Sequence, residues 1–540
     1  MEKKLKIFLS LILTLLSLLL ISGALWLQPE AGALLDKDQD YLSTLALKIE
    51  KIPQERRKKA MLLRLGLEGP LTPGGSAFHT KLLKLAGGVP GVFGGADNGL
   101  APVTSEQWRK FAPDFVYTVS SEYSAVQKLM ERPEWRGVPA VKNGRIVPFA
   151  DELVSQASEY AGYFASWLAS EMYPDEFADE KNLVHPMKIT GERPLSIDVP
   201  YVRQARIVES VIMDFTHKTL LVDFERPQRI ISTNSGQLDG VMTVGNSYSP
   251  PQTWSIYHKL GFERSQSDLL QTLGLDETVS SVMVTGADMD NAAVKTASYR
   301  DMTVTAVVTA GVESNALRTS KDTGAWYEPG TINILVMTNH RLTDRALARA
   351  IVTITEAKTA ALWDMDIRSA QTRAENPATG TGTDTVVVVS GEGVPLNGSG
   401  GHAKMGELIA GAVHQAVREA LLKQNGKAPR RGVAERLRER GIYAAHMPPD
   451  CAPQMEALLL SPDSTARGFM EAAFSVSDAF VMGQVSDLRS FNAWALAVAS
   501  ETAGRPVEKL EDLFNGTRVP EVLDTALDAL LTGIKKRDKP

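Results

Sequence analysis

ATGTGTDTVVVVSG, residues 378–391, sets three threonines and two glycines ahead of Asp384 and then runs four valines together after Thr385. An apolar run without alternation reads as a strand buried on both faces, so 386–389 is expected inside a layered α/β fold. The polar residues before it stand at the strand's mouth, where side chains can face a cleft while the strand stays buried. Gly380 and Gly382 let the backbone adopt positive φ and approach a ligand closely. Thr379, Thr381, Thr383 and Asp384 supply hydroxyls and a carboxylate. The stretch lacks the lysine of a G-x-x-x-x-G-K-[ST] phosphate loop and the spacing of G-x-G-x-x-G, which argues against nucleotide binding.

Strand-like runs surround this stretch. RIVESVIMDFTHKTLLVDFE (206–225) reads as a hairpin, followed by RIIST, GVMTVGN, SSVMVTG, TVTAVVTAGV and TINILVMTN, before one long helix beginning near Thr343. The central region is thus expected to be a large mixed sheet with few helices. Upstream, KAMLLRLGL, SAFHTKLLKLAGG, TSEQWRKFAPD and FVYTVS alternate strand and helix, which predicts a separate α/β lobe. A helix over LVSQASEYAGYFASWLASEMY (153–173) should pack on its sheet, and Trp108 and Trp135 are read as packing residues rather than ligand contacts. After KQNGKAPRRG (423–432) the tail is helical, with Val519, Val522, Leu523, Ala526, Leu527, Leu530 and Leu531 forming one stripe. The fold class is therefore α/β and α+β multidomain, divided as 1–35, 36–185, 195–424 and 432–540.

Composition narrows the function. The 540 residues are 44% hydrophobic and 23% charged with a formal charge of -6, so nothing points to a nucleic-acid partner. The one cysteine, Cys451, allows neither an internal disulfide nor a multi-thiolate metal site. Eight scattered histidines without an H-E-x-x-H pattern leave no metal ligand set to nominate. Lys3, Lys4 and Lys6 precede an uncharged run, 7–27, about as long as the ~20 residues that cross a bilayer. A retained anchor and a cleaved signal, with Ser22-Gly23-Ala24 as the small-residue site, both remain open. Either places the rest of the chain outside the cytoplasm, at the membrane if the segment stays.

Four stretches carry more polar residues than folding needs: AGVESNALR (310–318), GTINILVMTNHRLTD (330–344), TITEAKTAAL (353–362), and the opening stretch with GSGGHAKMGEL (398–408). Asn315, Asn333 and Asn339 lie on or beside predicted strands, and on the helix Glu356 and Lys358 sit among threonines that do not favour helix. These blocks, with RIISTNSGQLDG and VMVTGADM upstream, resemble the adenosylcobinamide amidohydrolase family in order and spacing over about residues 205–422. The lobe before them, through LLKLAGGV, VTSEQWRKFAPDFVYT, RPEWRGVPAVKNGRIVPF and ASEMYPDEF, is similar to one lobe of the periplasmic binding proteins that serve cobalamin and siderophore importers.

The resemblance implies hydrolysis of the amide joining aminopropanol to the corrin ring of adenosylcobinamide, giving adenosylcobyric acid. It makes the corrinoid the ligand and a corrinoid importer a candidate partner. No cofactor is required by the sequence, since the substrate carries its own cobalt. Amide hydrolysis needs a base toward water, an oxyanion stabiliser and a proton donor for the amine. The candidates are Glu356 or Asp384 as base; Lys358 with Asn315, or the N–H groups of 380–383, for the oxyanion; and His402 or Lys404 as donor. Asn333, Asn339, Thr381, Gly382 and Thr383 are candidate substrate contacts. Thr381 or Thr383 becomes a nucleophile only with an adjacent base. The competing expectation is a corrinoid-binding protein without hydrolase activity.

Overall fold

The computed structural model of the protein describes residues 40–66, 69–94, 98–155, 157, 160–324, 330–461, 464–516 and 518–537. The expected anchor or signal, residues 7–27, lies outside them. Among the described residues no helix is long and apolar enough to cross a membrane. The chain divides into two compact units: residues up to 188 with 211–216 and 250–273, and residues 189–210, 217–249 and 274–540.

In the first unit, β1 (Lys59–Leu62), β2 (Val89–Pro90), β3 (Phe115–Val119) and β4 (Ile146–Phe149) form a parallel sheet in the order β2-β1-β3-β4. Every residue of β3 is buried, as a parallel strand covered on both faces requires. The helix expected over 153–173 is two helices, Asp151–Ser155 and α1 (Ala161–Met172), because Tyr160 takes a non-helical conformation (φ −134°, ψ 42°). Trp108 and Trp135 are both buried, and the Trp108 indole donates to the Trp135 carbonyl at 2.8 Å, so both are core residues. Two short helices that the strand pattern did not suggest, Trp254–Leu260 and Phe262–Leu273, also belong to this unit. Gly261, at φ +94°, ends the first of them.

The second unit is built on a nine-stranded mixed sheet. Its strands are β5 (Lys188–Pro194), β6 (Val202–Ile212), β7 (Phe215–Ser232), β8 (Gly236–Tyr248), β9 (Ser280–Thr285), β10 (Ala293–Tyr299), β11 (Met302–Ala310), β13 (Ile332–Thr338) and β15 (Thr385–Val389). A two-stranded ladder, β12 (Ala316–Leu317) with β14 (Gly380–Thr381), lies beside it. The main path runs β9-β8-β7-β15-β13-β11-β10, with β6 on β7 and β5 on β6. The valine run is indeed central: β15 pairs parallel with β13 and antiparallel with β7. Long β7 shifts register against β8 between Asp223 and Ile230, around Pro227, which has no N–H to offer a ladder.

Alternation along these strands explains their unbroken apolar sequence. Ile332, Ile334, Val336, Val386 and Val388 face one core, beneath α2 (Asp344–Asp364) and α3 (Lys404–Asn425). Leu335, Met337, Val387 and Val389 face the other, packing with Val222, Phe224 and Val244 across the curl of the sheet. α2 begins where expected, with Thr343 at its N-cap.

The tail folds into α4 (Val433–Glu439), α5 (Ala452–Leu460), α6 (Thr465–Val481), α7 (Arg489–Ala503) and α8 (Glu521–Lys536). These helices share their own apolar core, in which the α8 stripe from Val522 to Leu531 is fully buried and Val519 partly so. Where α2 ends, Asp366 turns left-handed (φ +50°) and its carboxylate meets Arg440 at 2.8 Å, Arg436 at 2.9 Å and Arg368 at 3.1 Å. Asp478 of α6 binds the same Arg368 through both oxygens, at 2.9 and 3.0 Å. The architecture is thus a small parallel α/β lobe, a large mixed sheet under two long helices, and a helical tail.

Candidate functional site

A cleft of about 650 Å³ opens in the second unit at the mouth of β15, lined by Arg318, Thr319, Ser320, Thr355, Lys358, Thr359, Trp363, Thr379, Gly380, Thr381 and Asp384. Three chain segments build it. The β12–β14 ladder pairs Ala316 with Thr381 and Leu317 with Gly380, which sets Arg318 beside the threonine–glycine lip. Thr379 N donates to the Leu317 carbonyl at 2.7 Å, and the Thr319 and Thr379 hydroxyls meet at 3.0 Å. α2 supplies the remaining wall with Thr355, Lys358, Thr359 and Trp363, a stripe at three- and four-residue spacing. Thr359 fastens it by donating to the Thr379 carbonyl at 3.0 Å.

At the floor, Lys358 and Asp384 form a largely buried ion pair through Asp384 Oδ2. Asp384 Oδ1 accepts from the Thr381 hydroxyl at 2.5 Å and from the Ile332 N–H at 3.2 Å, while Thr381 N–H lies 3.1 Å from Oδ2. A carboxylate with this many donors is held in one orientation. The Thr381 hydroxyl therefore has the adjacent acceptor that a threonine nucleophile needs.

The lip's glycines serve a different purpose from the one expected. Neither Gly380 nor Gly382 has positive φ. Gly380 is instead a matter of room: a Cβ there would stand 2.6 Å from Lys358 Nζ and closer still to Asp384 Oδ2. Gly380→Ala is accordingly expected to push the pair apart and cost about 1–3 kcal/mol, measurable as a lowered denaturant midpoint. Unchanged stability would mean the pair yields without loss.

Lys358, Asp384 and Thr381 are thus brought together as sequence suggested. Thr383 and Gly382 are exposed at the rim, Thr383 donating to the Gly330 carbonyl at 3.0 Å. Asn315 is buried and its amide is committed to the same carbonyl. Asn333 points to the sheet's inner face, where it donates to Asn246 Oδ1 at 2.8 Å and to the Val284 carbonyl at 3.0 Å. Asn339 lies past the far end of β13 and staples the turn before β11, donating to the Asp301 carbonyl at 2.6 Å and accepting from Thr303 N–H at 2.8 Å. Lys404 is at that same far end, 4.5 Å above the Tyr299 ring and paired with Glu407 at 2.6 Å; His402, two residues before it, is exposed. Glu356 is exposed and does not line the cleft.

That placement predicts that Glu356→Gln leaves turnover within about threefold, as expected of an exposed surface change. A loss of two orders of magnitude in steady-state rate would return Glu356 to the chemistry.

Arg318 and Trp363 are cleft residues that pattern reading passed over, and Thr355 and Thr359, noticed on the helix, were not nominated as contacts. Arg318 closes the quoted block AGVESNALR and the threonines were conspicuous mid-helix, so a signal existed; only the β12–β14 pairing tells that Arg318 reaches the cleft. Among the described residues, no group of three or more His, Cys, Asp or Glu side chains gathers as a metal site.

The model of the adenosylcobinamide amidohydrolase family matches residues 199–429. An uncharacterized protein of Methanocaldococcus jannaschii is 39% identical over 226 residues, 38% of this chain and 87% of that protein. The chain belongs to the adenosylcobinamide amidohydrolase family. Every lining residue of the cleft falls within the amidohydrolase match, and residues 32–152 match the periplasmic binding protein family. Solved structures similar to this amidohydrolase-family chain include an ABC transporter solute binding protein from Sulfurospirillum deleyianum (26% identity, TM-score 0.23, 27% of this chain and 46% of that one). Another is a periplasmic binding protein from Veillonella parvula (18% identity, TM-score 0.23, 27% and 50%). The chain thus spans about half the length of these two structures.

Proposed function

We propose that this protein hydrolyses the amide joining aminopropanol to the corrin ring of adenosylcobinamide, giving adenosylcobyric acid for reuse. The observation that carries the reading is the Thr381–Asp384–Lys358 chain at the floor of a cleft inside the family-matched region. The nucleophile, water or the Thr381 hydroxyl itself, gives its proton to Asp384 as its oxygen bonds to the amide carbon. Lys358 stabilises the negative oxygen of the tetrahedral intermediate. When the C–N bond breaks, Lys358 protonates the departing amine and recovers a proton from Asp384 across their hydrogen bond. If Thr381 attacks, water then hydrolyses the ester by the same route. The corrinoid brings its own cobalt, and none of these steps calls on another cofactor.

We place this activity outside the cytoplasm. The binding-protein match at 32–152 and the basic, then apolar, start of the sequence support that location. The same match favours one second reading, a corrinoid binder feeding an importer without turnover. Incubating the full chain with adenosylcobinamide and assaying for free aminopropanol separates the two. Stoichiometric corrinoid binding with no amine released would discard the hydrolase.

A further inference from the structure

The cleft contains two cations and one carboxylate: Arg318 and Lys358 against Asp384. Lys358 is neutralised by its partner. Arg318 is not. Among the described residues no carboxylate lies within ion-pairing distance of its guanidinium, and its Nε and Nη1 are buried without any hydrogen-bond partner. Asp322, four residues on, is committed elsewhere: it takes the Arg318 backbone N–H at 2.5 Å and the Ser369 and Thr372 hydroxyls at 2.6 Å each. The guanidinium carbon lies 4.8 Å from the centre of the Trp363 ring, a cation–π contact that uses none of its N–H donors.

Leaving charged N–H donors dry and unanswered is costly, and a bound acceptor offsets that cost. Two of the other donors nominated for an anion are spent. The Asn315 amide is on the Gly330 carbonyl and the Thr381 N–H is on Asp384. Among the described residues, Arg318 is therefore the cation of the cleft lining left without a countercharge.

We propose that Arg318 is an anion-recognition residue whose ligand is the carboxylate that hydrolysis creates on the corrinoid side arm. The inference rests on the amidohydrolase reading. The neutral amide offers the guanidinium only a weak acceptor, whereas the product's carboxylate matches its planar fork. The cleft consequently holds product more tightly than substrate, so turnover slows as corrinoid acid accumulates and release of the acid limits the rate.

The test compares binding of adenosylcobyric acid and adenosylcobinamide to the full-length wild type, R318Q and R318K by titration calorimetry. R318Q is expected to lose about tenfold in affinity for the acid and less than threefold for the amide, with R318K in between because it keeps the charge but not the fork. Thermal unfolding alongside identifies a variant that has lost its fold, in which case R318K, which keeps the bulk, decides. Equal losses for both ligands, or none for the acid, would overturn the proposal. A chain that prefers the acid through Arg318 yet releases no aminopropanol would sink the hydrolase reading and, with it, the product role, leaving only carboxylate recognition by Arg318.

Discussion

Asp384→Asn is expected to lower turnover of adenosylcobinamide by about 10³-fold and to destabilise the second unit by about 3–5 kcal/mol. Both effects have one cause. The substitution leaves an amide that cannot take a proton from the Thr381 hydroxyl or from water, and leaves the Lys358 ammonium, whose side chain is 8% exposed, without its countercharge. A buried cation left alone is costly, whereas removing both charges is not. The Lys358→Met, Asp384→Asn pair should therefore unfold at a higher denaturant midpoint than Asp384→Asn alone, while remaining inactive. Rates within tenfold of wild type in Asp384→Asn would remove the carboxylate from the reaction; additive stability losses would show that the two charges do not depend on each other.

The second large effect lies away from the cleft. Asp366→Asn should destabilise the protein by about 3–5 kcal/mol, because among the described residues Arg440 and Arg368, almost wholly buried, keep only Asp478 as a counterion. Asparagine tolerates the left-handed backbone at this position, so the loss reports the charge rather than strain. Burial by itself would raise the Asp366 pKa; Arg440, Arg368 and Arg436 overcome it and hold the carboxyl well below its ordinary range. The folded-state pKa is depressed, so the stabilisation is complete above the unfolded value of about 3.9 and fades as pH falls through the folded one. Wild type and Asp366→Asn should then differ fully near pH 7 and converge only in strong acid. A difference that vanishes by pH 5 would mean that Asp366 is not held ionised by these arginines. The same residues join the end of α2 to α4 and α6, so loss of the pair should also loosen the tail, detectable as faster amide exchange in α4.

Much of this was legible along the chain. VVVV at 386–389 announced a strand covered on both faces, and β15 is central with its valines divided between two cores. Thr343 marked the start of α2, and the apolar stripe after Val519 marked α8. Where reading by pattern stopped, the reason was local. The two short helices over 254–273 have no long periodic run, and the helix expected over 153–173 breaks at a backbone angle that side-chain periodicity does not encode. Two of the mid-helix threonines, odd by propensity, are explained by partners distant in sequence: Thr353 donates to the Ser399 carbonyl at 2.8 Å and Thr359 to the Thr379 carbonyl at 3.0 Å.

Sequence by itself determined the inventory: which runs must be buried, where helices start, and that hydroxyls, a carboxylate and a lysine crowd the mouths of strands. It did so because burial and capping depend on residue type at short spacing. Which of those groups meet was decided only by tertiary structure. Asn333 and Asn339 belong to the same predicted strand region, yet one faces the inner core and the other lies about 20 Å further along, past the strand's end, since each residue adds about 3.3 Å. Glu356 and Lys358 are two apart on one helix and so point in different directions, one to solvent and one to Asp384. Arg318 reaches the cleft only because β12 pairs with β14 across 62 intervening positions of chain, as the Leu317–Thr379 hydrogen bond records, and no local pattern carries that pairing.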